Sequence, residues 1–385
     1  MLNQPKKPLW PKVRHFLREP FAEFWGCVIL IVLGDGSVAQ VTLSNGEKGD
    51  YQSISWGWGL GVMFGVYVSG GISGGHLNPA VTLASCVYRG FPWRKFPGYM
   101  LAQTLGCMVG AAIIYGNYRS AIDTFEGCKG CRTVSGPKST AGVFCTYPAP
   151  FMTRTGQFFS EIVASAVLQF IIFAINDTKN IPAGPLAPLV LFFLIFAIGA
   201  CLGWETGYAI NFARDFGPRL VTAMIGYGSE VWSAGGYYFW VPIVAPFIGC
   251  LLGGFLYDFF MYTGDESPIN WPWMGFDRFL NPHKRIEHDM GTVQQNVEAP
   301  MLVEAHPNMG SVQENPLSTG TDEPKVDMDP GFSSDSQTVH LGRNMRAADH
   351  EHVEQAHTPE SATPPQPTGA AQFLEFENLD DSDSS

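Results

Sequence analysis

The chain has 385 residues, with 23 Lys and Arg, 35 Asp and Glu, and a net charge of −12. The acid is unevenly placed: residues 287–385 hold 19 Asp and Glu against 3 Lys and Arg, while residues 1–286 are slightly positive, apolar and rich in Gly and Phe. Two such different materials argue against a single soluble globular domain, and the lack of a basic patch argues against a nucleic-acid partner.

Six apolar stretches of bilayer length run through the first part, at 21–43, 54–73, 96–118, 156–176, 184–203 and 237–262. A hydrocarbon core of about 30 Å takes about 20 residues of helix at 1.5 Å each. The first stretch starts too far in and is too long to be a signal-peptide core. Six crossings put both termini on one side. That side carries 12 Lys and Arg (Lys6, Lys7, Lys12, Arg14, Arg18, Arg89, Arg94, Lys95, Lys179, Arg278, Lys284 and Arg285) against 8 on the other, which predicts both termini in the cytoplasm. Gly57, Gly61 and Gly65 repeat at i+4, as do Gly106/Gly110 and Gly249/Gly253. This spacing lets helix backbones approach within a membrane.

The two halves answer each other. Glu23 opens one span and Glu161 another; Asn78-Pro79-Ala80 follows Glu23 by 55 residues, and Asn211-Phe212-Ala213 follows Glu161 by 50. Three spans per half is an odd number, so the halves insert with opposite sense, an inverted repeat. The segments after each Asn are too short to cross: 78–88 is 11 residues, about 16 Å of helix. The second, 211–225, is expected to be interrupted at Gly217-Pro218. Each reads as a re-entrant half-helix capped by Asn. Two positive helix ends then face one point at the bilayer centre. The approaching backbone, Gly74, Gly75, His76 and Leu77 in one half and 207–210 in the other, is expected to turn carbonyls, those of Gly207 and Ala209 among them, into a narrow wet pore. Irregular backbone is tolerated at that depth only beside water or within protein.

These residues resemble the aquaporin (major intrinsic protein) family, specifically its aquaglyceroporin branch and most closely its fungal members. The resemblance spans about 20–262 and rests on two Asn boxes: His76-Leu77-Asn78-Pro79-Ala80-Val81-Thr82, and Asn211-Phe212-Ala213-Arg214-Asp215-Phe216-Gly217-Pro218-Arg219. It implies an all-α membrane protein with six transmembrane helices and two half-helices in a right-handed bundle. It implies a homotetramer in the plasma membrane, each protomer passing glycerol and water, with ammonia or other small neutral solutes as further permeants. By family spacing, the selectivity filter falls on Trp58, Gly199, Tyr208 and Arg214. Gly199 leaves room where strict water channels resemble this with His, and Asp215 marks the glycerol branch. Glu23 and Glu161 are implied to accept hydrogen bonds from the loops that hold the half-helices. Phe212 stands where the family usually has Pro, which puts pore radius in question; a water-selective channel, or a poorly conducting sensor plugged by Phe212, is the alternative.

Other polar residues are less constrained. Asp35, in a Gly34-Asp35-Gly36 turn, is read as facing a wet vestibule; Glu205 as a charge at the outer mouth; Asp258 as interfacial. His76 reads either as a pH gate or as a loop residue whose carbonyl lines the pore. Cys27, Cys86, Cys107, Cys201 and Cys250 fall in spans as small apolar fillers. Cys128, Cys131 and Cys145 share the outer loop, where one disulfide is plausible with partners open. No metal set, cofactor motif or enzyme signature is found. The domain reading is a cytoplasmic segment 1–20, a channel domain 21–262 (halves 21–118 and 156–262, outer loop 119–155), and a largely disordered acidic cytoplasmic tail 263–385 with no assigned partner.

Overall fold

The computed structural model describes residues 9–275; positions 1–8 and 276–385, including Lys6, Lys7, Arg278, Lys284, Arg285 and most of the acidic tail, lie outside the described residues. Among the described residues there is no strand. The elements are α1 (Leu9–Phe16), α2 (Arg18–Leu43), α3 (Tyr51–Ser73), α4 (Pro79–Tyr88), α5 (Phe96–Glu126), α6 (Arg154–Asn176), α7 (Ala187–Leu202), α8 (Phe212–Thr222), α9 (Glu230–Tyr237) and α10 (Val241–Phe260).

Local chemistry sets the ends. Asp50 caps α3 with a reciprocal bond to Ser53, and Gly74 closes it in the left-handed region at φ 94°. Thr153 caps α6, its hydroxyl accepting from Gly156 N. Among the described residues, five helical stretches are long and apolar enough to cross a membrane; α3, with 23 residues, has the length but a composition richer in Gly and Ser.

Two differences from the sequence reading have a cause in packing. Helix α5 runs eight residues past 118, because its last turns are buried by the outer loop: Ile122 is fully buried, and Glu126 accepts from Thr133 N and Thr140 Oγ1. Gly217-Pro218 does not interrupt α8, which runs on to Thr222. Here glycine serves a close approach, since a Cβ on Gly217 would lie 2.8 Å from the Thr104 carbonyl oxygen of α5.

The packing is symmetric about the centre. Helix α2 packs on α3 and α5, and α6 packs on α7 and α10. Each half-helix leans on the last long helix of the other half, α4 on α10 and α8 on α5. Glycine permits these approaches. A Cβ on Gly106 would lie 2.3 Å from Phe24 O, and one on Gly253 would lie 2.1 Å from Ala166 O. Both obstacles are backbone, which cannot swing aside.

Gly253→Ala is therefore expected to lower the melting temperature of the detergent-purified protein, at a cost of about 3 kcal/mol or more from overpacking. Gly71→Ala, where a Cβ meets nothing within 4 Å, is expected to leave it unchanged. Thermal unfolding followed by tryptophan fluorescence checks both.

Candidate functional site

Two buried carboxylates organise the centre. Glu23 accepts four bonds: Ser73 Oγ (2.6 Å) and His76 N (3.0 Å) on Oε1, and Leu77 N (2.7 Å) and Gln103 Nε2 (2.8 Å) on Oε2. Glu161 repeats the pattern with Thr206 Oγ1 (2.7 Å) and Ala209 N (2.9 Å) on Oε1, and Ile210 N (2.8 Å) on Oε2. In both halves the two N–H groups just before the Asn box are the ones taken. Those loops are strained, with Leu77 at φ 52° and Ile210 at φ 43°. A left-handed conformation at a non-glycine residue costs about 1–3 kcal/mol and persists only where its surroundings hold it.

The Asn residues lock the halves together. Asn78 Oδ1 accepts from Ala80 N (2.9 Å), and its Nδ2 donates to Ile210 O (2.8 Å). Asn211 Oδ1 accepts from Ala213 N (3.0 Å), and its Nδ2 donates to Leu77 O (2.8 Å). Each side chain caps its own half-helix and grips the other loop. One N–H of each amide is used in this way, which leaves the second for a solute. The Leu77 carbonyl is thus engaged by Asn211 rather than free.

A cavity of about 390 Å³ runs past these residues. Trp58, Tyr208 and Arg214 line it at one end, and Gly74, Gly75, His76, Leu77, Asn78, Ala209 and Asn211 in the middle; Gly199 and Gly207 are not among its lining. Gly207 instead turns against the Thr146 side chain, 3.3 Å from its would-be Cβ. Pro79 and Ala80 are buried at the start of α4, and Ala213 at the start of α8. The space left by Gly199 is filled: a Cβ there would lie 2.9 Å from the Tyr208 ring and hydroxyl, and one on Gly203 would lie 2.5 Å from the same ring. The two glycines form a notch on α7 that seats Tyr208. Arg214 lies over the Trp58 ring (3.9 Å to the centroid), and its Nη1 donates to Phe144 O (3.1 Å). His76 packs against Phe91 and Tyr99, with Nδ1 3.1 Å from Thr82 Oγ1.

Phe212 points away from the cavity. Its ring stacks on Phe216 (5.0 Å) and meets Phe247 (6.0 Å). It sits at the first helical position, where an N–H has no intrahelical partner in any case. The plugged-pore alternative therefore finds no Phe212 ring in the lumen.

Several functional contacts escaped the sequence reading. Asp215 accepts from Thr146 N (2.8 Å) and from Arg219 Nε (2.8 Å), while Arg219, fully buried, also donates to Val231 O and Thr146 O. The pair pins the outer loop at residues 144–146 against the cavity mouth. Its i,i+4 spacing was the available signal. At the other end, Arg89 lies between Phe173 (3.8 Å) and Tyr262 (3.9 Å) and makes two bonds to Asp258. Asp258 is hence buried and paired. Asp35 lies inside a continuous α2 and is fully buried, so it forms no turn and faces no wet vestibule. Glu205 is half-buried outside the cavity lining. Cys128 and Cys131 form the loop disulfide, while Cys145 is a buried thiol. Among the described residues no group of acids, His and Cys could hold a metal ion.

Residues 11–257 match the major intrinsic protein family. The chain belongs to this family. A protein of Gibberella zeae named "Probable aquaglyceroporin-2" is 69% identical over 280 residues, covering 73% of this chain and 83% of that one. Aquaglyceroporin-9 of Botryotinia fuckeliana is 67% identical over 272 residues, covering 71% of this chain and 60% of that one. The X-ray structure of the aquaglyceroporin from Plasmodium falciparum shares 33% identity and superposes with a TM-score of 0.56, covering 63% of this chain and 96% of that one. Within the family the chain falls with the aquaglyceroporin branch and its fungal members.

Two substitutions probe this geometry. Gly199→Ala is expected to push Tyr208 toward the lumen and cut glycerol permeability about tenfold, the factor that about 1.4 kcal/mol of added barrier gives. Phe212→Pro is expected to keep glycerol and water permeability within about twofold while lowering the melting temperature through lost ring packing of about 3 kcal/mol. Liposome flux and thermal unfolding check the two.

Proposed function

We propose that the chain is a passive membrane channel for glycerol and water, that ions and protons are excluded, and that Trp58, Tyr208 and Arg214 select the solute. The observation that carries the reading is the cavity itself, which sets the apolar rings of Trp58 and Tyr208 beside the polar Arg214 guanidinium and the loop backbone. A polyol needs such a split surface: its carbons lie against aromatic faces while its hydroxyls replace water with fixed partners. Apart from the Nη1 bond to Phe144, the guanidinium N–H groups have no hydrogen-bond partner among the described residues. They remain available to a hydroxyl, and their charge opposes cations. Deeper in, Asn78 and Asn211 offer amide donors at the two half-helix N-termini. Two positive dipole ends there disfavour any cation, hydronium included. Ammonia and other small neutral solutes fit the same path.

The membrane setting belongs to the same proposal. Outward-facing Trp25, Phe159, Phe193 and Phe260 suit lipid or a second copy. A homotetramer in the plasma membrane, with both termini cytoplasmic, follows the family pattern and the excess of Lys and Arg on the terminal side. The channel domain at 21–262 and an acidic cytoplasmic tail complete the organisation.

The test is stopped-flow light scattering on liposomes holding the purified protein, with a sucrose step and then a glycerol step. Glycerol re-swelling well above that of empty liposomes is expected, together with faster shrinkage in sucrose. Glycerol flux at the level of empty liposomes would sink the reading.

A further inference from the structure

We propose that Asp35 is the counter-charge that positions the Arg214 guanidinium, and through it sets the preference for glycerol over water. The proposal rests on the reading of Trp58, Tyr208 and Arg214 as the selecting constriction. Asp35 sits in the middle of α2, fully buried, and neither carboxylate oxygen has a hydrogen-bond partner. Burying a carboxylate without hydrogen bonds is costly, and a facing positive charge offsets that cost. Glu23, twelve residues earlier on the same helix, offsets it with four hydrogen bonds. Asp35 offsets it with one cation: Arg214 Nη1 lies 3.9 Å from Oδ1. The nearby Asp215 is committed to Arg219 and Thr146. Twelve residues after Glu161 the second half carries Phe173, so the inverted repeat does not itself ask for an acid at this place.

Helix α2 serves the constriction through two adjacent residues, neither of which lines it. Gly34 makes space for the Trp58 ring, 2.4 Å from its would-be Cβ. Asp35 faces the guanidinium that lies on that ring. Phe144 O holds Nη1 from the loop. The attraction of Asp35 draws the guanidinium toward α2, flat over Trp58, and leaves its remaining N–H groups for a hydroxyl. Without Asp35 the guanidinium keeps one hydrogen bond and one ring contact, and is free to swing into the lumen. That obstructs a three-carbon polyol far more than a water molecule. Asp35 is thus a positioning residue.

The test is a two-by-two comparison of wild type, Asp35→Asn, Arg214→Ala and the double variant in liposomes, with protein content quantified and both permeabilities measured. Asp35→Asn is nearly isosteric and is expected to lower the glycerol-to-water permeability ratio roughly fivefold, with water flux within about twofold. In the Arg214→Ala background the same change is expected to leave the ratio unaltered, which a general packing role would not produce. Recovery of folded protein for the double variant but not for Asp35→Asn also supports the pairing, since only the single variant leaves Arg214 buried and unpaired. An unchanged ratio in Asp35→Asn, an equal fall in both backgrounds, or failure of both variants to fold overturns the proposal. An Arg214→Ala ratio equal to wild type overturns the reading of the constriction as well, and so separates the two failures.

Discussion

Backbone amides at the middle of an apolar bundle have no water to turn to, and this constraint shapes the rest of the molecule. A half-helix that starts at the centre must be reached by irregular chain, and that chain brings unpaired N–H groups with it. Glu23 and Glu161 meet them from inside the first and fourth long helices, each taking the two amides just before an Asn box. The cost of burying two carboxylates is offset because nearly every oxygen lone pair has a donor. The left-handed turns at Leu77 and Ile210 are affordable only because these bonds hold them.

Once the loops are fixed, the Asn side chains can do two things at once. Their oxygens cap the half-helices, and their nitrogens reach across the pseudo-twofold axis to the opposite carbonyl. The halves are therefore joined at the pore rather than only along the helix flanks. Close glycine contacts, as of Gly106 in α5 against α2 and of Gly253 in α10 against α6, bring the long helices near enough for those bonds to form. The outer loop is drawn into the same assembly by the buried Asp215–Arg219 pair, which sets Thr146 and Phe144 at the cavity mouth. The two ends of the cavity share a design, with Arg214 on Trp58 at one and Arg89 between Phe173 and Tyr262 at the other. An arginine laid on an aromatic face stays charged while much of its surface is shielded.

The sequence by itself determined the crossings, the repeat and the position of the boxes. These depend on patterns the chain carries locally: apolar runs of bilayer length, Asn followed by Pro or a helix former, glycines at i+4, and an acid at the same place in each half. Trp58, Tyr208 and Arg214 could be assigned to one place by resemblance for the same reason. Contacts between residues far apart in the chain were decided only by the tertiary structure. Whether Gly199 opened space or received Tyr208 depended on a side chain nine residues on and on the backbone turn between them. Phe212 looked like an obstruction because its box partner lies in the lumen, yet at the first helical position its ring swings to Phe216 and Phe247. Asp35 was read as facing a wet vestibule and Asp258 as interfacial, and both are buried against arginines contributed by distant segments. The physical reason is the same in each case. Periodicity and capping are properties of neighbouring residues, whereas the fate of a buried charge or a vacated volume depends on what another part of the chain places opposite it.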